Sequence, residues 1–322
     1  MSAAHNGHLP RPGKVPRAGD LSKIVRSATR VLAEMQKESG EFPTFWSHAQ
    51  DMSLVTYAES PFVTGMVVLA LSKLRNEEAR LIRSRSCQYL KAKRKSDGCF
   101  CFFDQGLDPD LDDTCLLNWA LQCHEADASF SYRRLARRLA LLPKQNELYL
   151  TWLRAGKADH NDIDPCVSAN VIRFLARNAV PCAKTVGALR KVLQQDQCSD
   201  GTRYYESPFA LAYLIVTLPS ALRHEILGNS SRKNRLIERL ACASAKQRGS
   251  VLDRALLLTV LSCCSTDGIM LSALAEALTS GRDTTGGWPN APAFRAFNYW
   301  GSAALTTAVA IQALECYRLR IS

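Results

Sequence analysis

The sequence predicts an all-α fold, an (α/α)6 toroid of two concentric rings of six helices, and three observations carry that expectation. Apolar residues recur at helical spacing through almost the whole chain, with no convincing two-residue alternation. Two stretches repeat nearly word for word, YAESPFVTGMVVLAL from Tyr57 and YYESPFALAYLIVTL from Tyr204. Almost wholly apolar helices start near residues 60, 113, 165, 208, 251 and 301, about 42 to 53 residues apart, an interval that marks a repeat architecture.

Taken in order, residues 1–20 are rich in Pro, Gly and basic side chains with little to bury, so a disordered tail is expected ahead of one domain spanning 21–322. The expected inner helices are 59–74, 112–125, 165–178, 207–218, 250–264 and 300–317, each apolar nearly all round. Ser60 with Pro61, and Ser207 with Pro208, read as an N-cap followed by the first helical residue, where the missing N–H of proline costs nothing. Between them lie six helices with one charged face, such as SKIVRSATRVLAEM, EEARLIRSRSCQYLKAK and SYRRLARRLALL. An open solenoid would need polar caps at both ends, and neither terminal helix resembles one. Closure into a ring is therefore expected, with six parallel inner helices gathering their N-termini at one mouth. That mouth would hold Glu59, the aspartates of 108–113, Asp162, Asp164, Tyr204, Tyr205, Glu206, Asp253, Phe297, Tyr299 and Trp300.

The composition narrows the function. A chain of 322 residues with 47% apolar side chains can fill one large core. It has neither a spanning apolar run nor the apolar core of a secretory signal, so a cytoplasmic protein is expected. The 12 cysteines fall mostly inside apolar helices and read as reduced, packed thiols. Cys99 and Cys101 have no second C-x-x-C to complete a zinc site, and no structural metal is assigned. The net charge of +11 includes Arg133, Arg134, Arg137 and Arg138 on one helix, opposite Leu135, Leu139 and Leu142. Such a face is ordinarily solvated; its functional use would be peripheral contact with an anionic membrane. Nucleic acid is not expected, because no aromatic stacking pattern accompanies the charge.

The stretch DPDLDDT places Asp108, Asp110, Asp112 and Asp113 where a buried helix should begin. Capping needs one carboxylate, not four. Crowded carboxyl groups cannot all ionise, so at least one keeps its proton, and their titration belongs to the cluster.

The DLDDT of residues 110–114 resembles the D-x-D-D-T acid motif of class II terpene cyclases, the squalene-hopene and copalyl diphosphate cyclase group. Turns before several inner helices also resemble that superfamily's Q-x-x-x-G-x-W repeat: Gln36, Gly40 and Phe42; Arg94, Gly98 and Phe100; Arg282, Gly286 and Trp288; and Gln197 and Gly201 with Tyr204 displaced. The resemblance covers roughly residues 21–320. It implies proton-initiated cyclisation or isomerisation of a polyprenyl or prenylated substrate, with Asp112 as the acid and Asp110 and Asp113 orienting it. Thr114 completes the motif, and its retention beside the three aspartates argues against a non-catalytic toroid. Glu59, Phe62, Trp119, Asp164, Tyr204, Tyr205, Glu206, Tyr299 and Trp300 become the candidate substrate-binding residues, their aromatic faces stabilising a carbocation. No cofactor is required, with Mg²⁺ added only where the substrate carries a diphosphate. The family sets its acid between two helical domains, and here there is length for one. A second copy of the chain, a partner subunit, or the loops FPTFWSHAQDMSL and TWLRAGKADHND would close the cavity. Three other readings stay open. One is a non-catalytic toroid that binds a hydrophobic ligand or partner enzyme. Another is a protein prenyltransferase β-like subunit with zinc on Asp97, Cys99 and His160. The last is glycan processing by Asp112 opposed to Glu206.

Overall fold

The computed structural model describes residues 17–103, 107–124, 129–153, 161–194, 202–228, 230–246, 249–265 and 267–322. In chain order the elements are α1 (Ala18–Met35), β1 (Thr44–Ser47), β2 (Thr56–Ala58), α2 (Pro61–Ala70), α3 (Glu77–Lys93), α4 (Leu111–His124), α5 (Tyr132–Ala140), β3 (Lys144–Gln145) and β4 (Leu148–Tyr149). They continue as α6 (Pro165–Arg177), α7 (Ala183–Gln194), α8 (Ala210–Val216), α9 (Ser220–Leu227), α10 (Ser230–Lys246), α11 (Val251–Cys264), α12 (Gly268–Ser280), β5 (Pro292–Arg295), β6 (Tyr299–Gly301) and α13 (Ala303–Ile321).

The inner ring is α2, α4, α6, α8, α11 and α13: each packs on the next, and α13 returns to α2 and α1. All ten residues of α2 are buried, as uniform apolarity requires of a helix with neighbours on every side. At Gly65 an added Cβ would fall 2.1 Å from a methyl of Leu117, so α2 and α4 approach closely there. The outer helices show the expected amphipathic split. On α5, Leu135 and Leu139 are buried while Arg133, Arg134, Arg137 and Arg138 face solvent. No helix among the described residues is long and apolar enough to cross a membrane.

One connection is built three times. Before α2, α4 and α13 the chain turns through a glycine in the left-handed region, Gly40 (φ 91°), Gly98 (φ 89°) and Gly286 (φ 90°), where a side chain would be strained. An aromatic residue follows two positions later and is fully buried: Phe42, Phe100 and Trp288. Its backbone N–H donates to a threonine hydroxyl in the first turn or so of the coming inner helix: Thr64 at 2.9 Å, Thr114 at 3.1 Å and Thr307 at 3.1 Å. Tyr149 and Ser168 repeat the contact ahead of α6 at 3.0 Å.

The structure departs from the sequence expectations in four places. Helix α1 begins at Ala18, inside the segment expected to be tail; residues 1–16 lie outside the described residues, as do Gln197 and Gly201. Helix α8 begins only at Ala210, so Ser207 and Pro208 form a turn ahead of it rather than its cap and first residue. Helix α9 is additional, giving thirteen helices among the described residues. Finally, there is a four-stranded antiparallel sheet, in the order β2-β1-β6-β5, on the mouth side of the ring. Phe45 opposes both Tyr57 and Gly301, and Trp46 opposes Trp300, so the first repeat is tied to the last connection. Its strands are three or four residues long, too short for alternation to show in the sequence.

Candidate active site at the aromatic mouth

Helix α4 delivers the aspartates in its first turn. The Asp113 backbone N–H donates to Asp110 Oδ1 at 2.8 Å, so Asp110 is the cap. Asp108 is exposed. Asp110, Asp112 and Asp113 are each at least nine-tenths buried, and three roles emerge from one cluster. Burial, the nearby Asp110 charge and a hydrogen bond to Asp110 push the Asp113 carboxyl well above the usual carboxylate range, while Asp113 Oδ1 has no partner. Asp110 is also raised by burial, against the hydrogen bonds it accepts.

Asp112 is met by two side-chain donors from other elements. Its Oδ1 accepts from Asn170 Nδ2 at 2.7 Å and its Oδ2 from the Tyr205 hydroxyl at 2.8 Å. Burial raises its pKa; Asn170 and Tyr205 lower it, Asp110 and Asp164 raise it, and the outcome is about 7. Had burial acted alone the group would be a weak acid; two donors aimed at the anion make it a stronger one.

The amide orientation of Asn170 is fixed from behind. Arg173, one turn further along α6 and 2% exposed, donates to Asn170 Oδ1 at 3.2 Å, which leaves the Asn170 NH₂ for Asp112 and for the Tyr205 oxygen at 3.1 Å. Because Arg173 can only donate, the amide cannot flip without losing the bond. The guanidinium also bonds Leu214 O and the Thr217 hydroxyl and stacks 4.3 Å from the Trp119 ring.

Asp112 opens into a cavity of about 360 Å³ walled by aromatic rings. Phe62 comes from α2, Phe102 and Phe103 from the connection before α4, Phe294 and Trp300 from β5 and β6. They meet edge to face: Phe62–Phe294 centroids are 5.0 Å apart, Phe102–Trp300 5.6 Å, and Tyr205–Phe294 5.4 Å. Trp152 closes one side and donates its indole N–H to the Tyr204 hydroxyl at 3.1 Å. Arg295, Phe297 and Asn298 form the outer rim.

Of the residues expected here, Asp110, Asp112, Asp113, Phe62, Tyr204 and Trp300 line this cavity, and Tyr205 bonds the acid from below. The others go elsewhere. Glu59 is bound to Lys93 at 2.9 Å and Tyr89 on the surface. Asp164 is a buried cap that accepts backbone N–H groups from Cys166, Arg203 and Tyr204. Glu206 accepts from Gln50 and lines a separate polar cavity with Asp51 and Asp253, so it does not oppose Asp112. Tyr299 precedes Trp300 on β6, and successive strand residues point to opposite faces. Trp119 lies two turns below Asp112 on α4, about 10 Å along the axis, and stacks on Arg173 instead. The zinc reading draws no support from the described part of its ligand set. Cys99 is pushed up to about 12 by burial, Asp97 lies 3.7 Å from Arg138, and His160 falls outside the described residues. No group of three metal-ligating side chains occurs among the described residues.

No family model matches the sequence, and no curated protein matches it. Solved structures do. A variant of type II terpene cyclase MstE from Scytonema, in complex with geranylgeranyl dihydroxybenzoate, is 16% identical over 95% of this chain and 99% of that one, at a TM-score of 0.68. ent-Copalyl diphosphate synthase from Streptomyces platensis gives a TM-score of 0.56 and 17% identity over 80% of this chain, which spans 50% of that protein. A possible member of the GH105 family from Salmonella enterica gives 0.64 at 11% identity, covering all of both chains. At these identities the likeness is one of fold, and the chain has the α/α-toroid fold of the type II terpene cyclases.

Proposed function

We propose that the protein catalyses proton-initiated cyclisation of a polyprenyl or prenylated substrate, with Asp112 as the general acid. One observation carries the reading. A buried carboxyl whose pKa is about 7, and whose conjugate base is met by two hydrogen-bond donors, faces a largely apolar cavity walled by aromatic rings. An alkene is a poor proton acceptor, so its acid must retain a proton until the substrate arrives and must then release it into a water-free site. The Asp112 O–H bond breaks and a C–H bond forms at the terminal alkene. The resulting tertiary cation is attacked by the next double bond, and a ring closes. Loss of a proton from the last cation to a base or water ends the sequence. Phe62, Phe102, Phe294 and Trp300 present π faces and edges around the path of the positive charge. A neighbour in fold, MstE, is described with a prenylated aromatic acid as its substrate, which supports prenylated substrates as the class to try.

Glycoside chemistry is disfavoured by the same cavity, whose carboxyl groups all belong to one helix start rather than to two opposed walls.

The test is incubation with linear prenyl alcohols, prenyl diphosphates and prenylated aromatic acids, followed by product analysis, for the parent and for Asp112→Asn. Cyclised products from the parent and a loss of several orders of magnitude in the variant are expected. Equal turnover by the two proteins would remove Asp112 from the role.

A further inference from the structure

The end of the toroid opposite the acid holds a second cavity, of about 230 Å³. It lies where α2 and α8 end, so backbone carbonyls bring partial negative charge to it. Its lining nonetheless includes three cations and no carboxylate: Lys73, Arg173 and Arg223. Two of these do cap carbonyls, Arg173 that of Leu214 at 2.9 Å and Arg223 that of Val216 at 3.0 Å. Capping does not exhaust them. A guanidinium has five N–H donors, and Arg173 Nε is buried with no hydrogen-bond partner. Lys73 caps nothing and pairs with no acid among the described residues. The rest of the wall combines an apolar part, Met66, Leu69 and Trp119, with the polar side chains of Ser72, Tyr213, Thr217, Thr259 and Gln312.

A buried, partly unpartnered guanidinium inside a cavity with three cations, no carboxylate and one apolar side defines the chemistry of what it would hold. We propose that this far cavity binds an amphiphilic anion, an alkyl phosphate or carboxylate. Its head group meets Arg173, Arg223 and Lys73, and its short tail lies against Met66, Leu69 and Trp119. An oxyanion supplies the acceptor that Arg173 Nε lacks, and charge-assisted bonds to guanidinium are among the strongest available. The site is separate from the acid cavity but joined to it through one side chain, because Arg173 also holds Asn170 against Asp112.

Trp119 is a built-in reporter. Titration of the full-length protein with octyl phosphate, followed by tryptophan fluorescence, should show a saturable change that disappears in Trp119→Phe. Octanol, which has the tail without the charge, should give none. Lys73→Gln, at an exposed position where folding is not at stake, should weaken octyl phosphate binding about ten-fold, and Arg223→Gln by a similar factor. The proposal is overturned by no saturable change, by a change that persists undiminished in Trp119→Phe, by equal binding of octanol, or by unaltered affinity in both cation variants.

Discussion

Tyr205→Phe removes one oxygen atom and leaves the ring, so it isolates a single hydrogen bond to the acid. The hydroxyl donates to Asp112 Oδ2 at 2.8 Å, while Asn170 continues to serve Oδ1 at 2.7 Å. Hydrogen bonds to a charged partner contribute about 1.5–3 kcal/mol. That energy stabilises the Asp112 anion and not its neutral form, and each pKa unit corresponds to about 1.4 kcal/mol. The pKa of Asp112, about 7 in the parent, should therefore rise by roughly one to two units. Activity requires the protonated acid, so the alkaline limb of kcat/KM should move up in pH by the same amount. The acid-side plateau should fall by about ten-fold, because the remaining acid is weaker. The assay is a pH–rate profile of product formation, with circular dichroism confirming the fold. An alkaline limb that stays in place would show that Asp112 is not the titrating group or that Tyr205 does not tune it.

Four further outcomes follow from the same geometry. Asp112→Asn should lose several orders of magnitude in turnover and remain folded, read by product analysis and thermal melts. The raised pKa of Asp113 means that the folded state holds its proton more tightly than the unfolded chain; that stabilisation is complete below the ordinary value of 3.8 and is lost as pH rises through the folded-state value. Asp113→Asn should accordingly gain Tm relative to the parent on going from pH 5 to pH 8, whereas a constant difference would argue that Asp113 is ionised throughout. Chelation with EDTA should leave turnover of a substrate without a diphosphate unchanged, and a large loss would reveal a metal in the step. Flotation with anionic vesicles should be weak at low salt and vanish at high salt if the arginines of α5 do the binding; retention at 1 M salt would exclude that mechanism.

The ring of helices was legible because six helices apolar nearly all round recur at a near-regular interval, and neither terminal helix has the polar cap that an open stack would need. The buried carboxylate cluster was legible because four aspartates exceed what a cap requires. Thr114 has one reading in the sequence and another in the structure. In sequence it completes an acid motif; in the structure it binds the Phe100 N–H, as Thr64 binds that of Phe42 and Thr307 that of Trp288. It belongs to the repeated connection. Asn170 and Arg173 were invisible for the opposite reason. They sit within an apolar helix with no neighbouring polar pattern, and only the packing of α6 against α4 brings them to Asp112. The mouth strands escaped notice because three residues of alternation carry no periodic signal, although the aromatic density of PAFRAFNYWG was a cue to their importance.

The pairing of β1 with β6 has a consequence for synthesis. Trp300 leaves the ribosome about 190 residues after Asp113, a delay of about 10–40 s at ordinary elongation rates. Throughout that interval the inner helices emerge with their apolar faces uncovered and the aspartates open to water, because the strands that wall the cavity and the helix that completes the circle are among the last parts made. Contacts between the first repeat and the last connection span some 250 residues, which makes ring closure a slow, non-local step. A nascent chain of this architecture is thus an unclosed arc of greasy helices, exposed to self-association until its last repeat arrives, and its expression should respond more to chaperones and temperature than the stability of the finished ring would indicate.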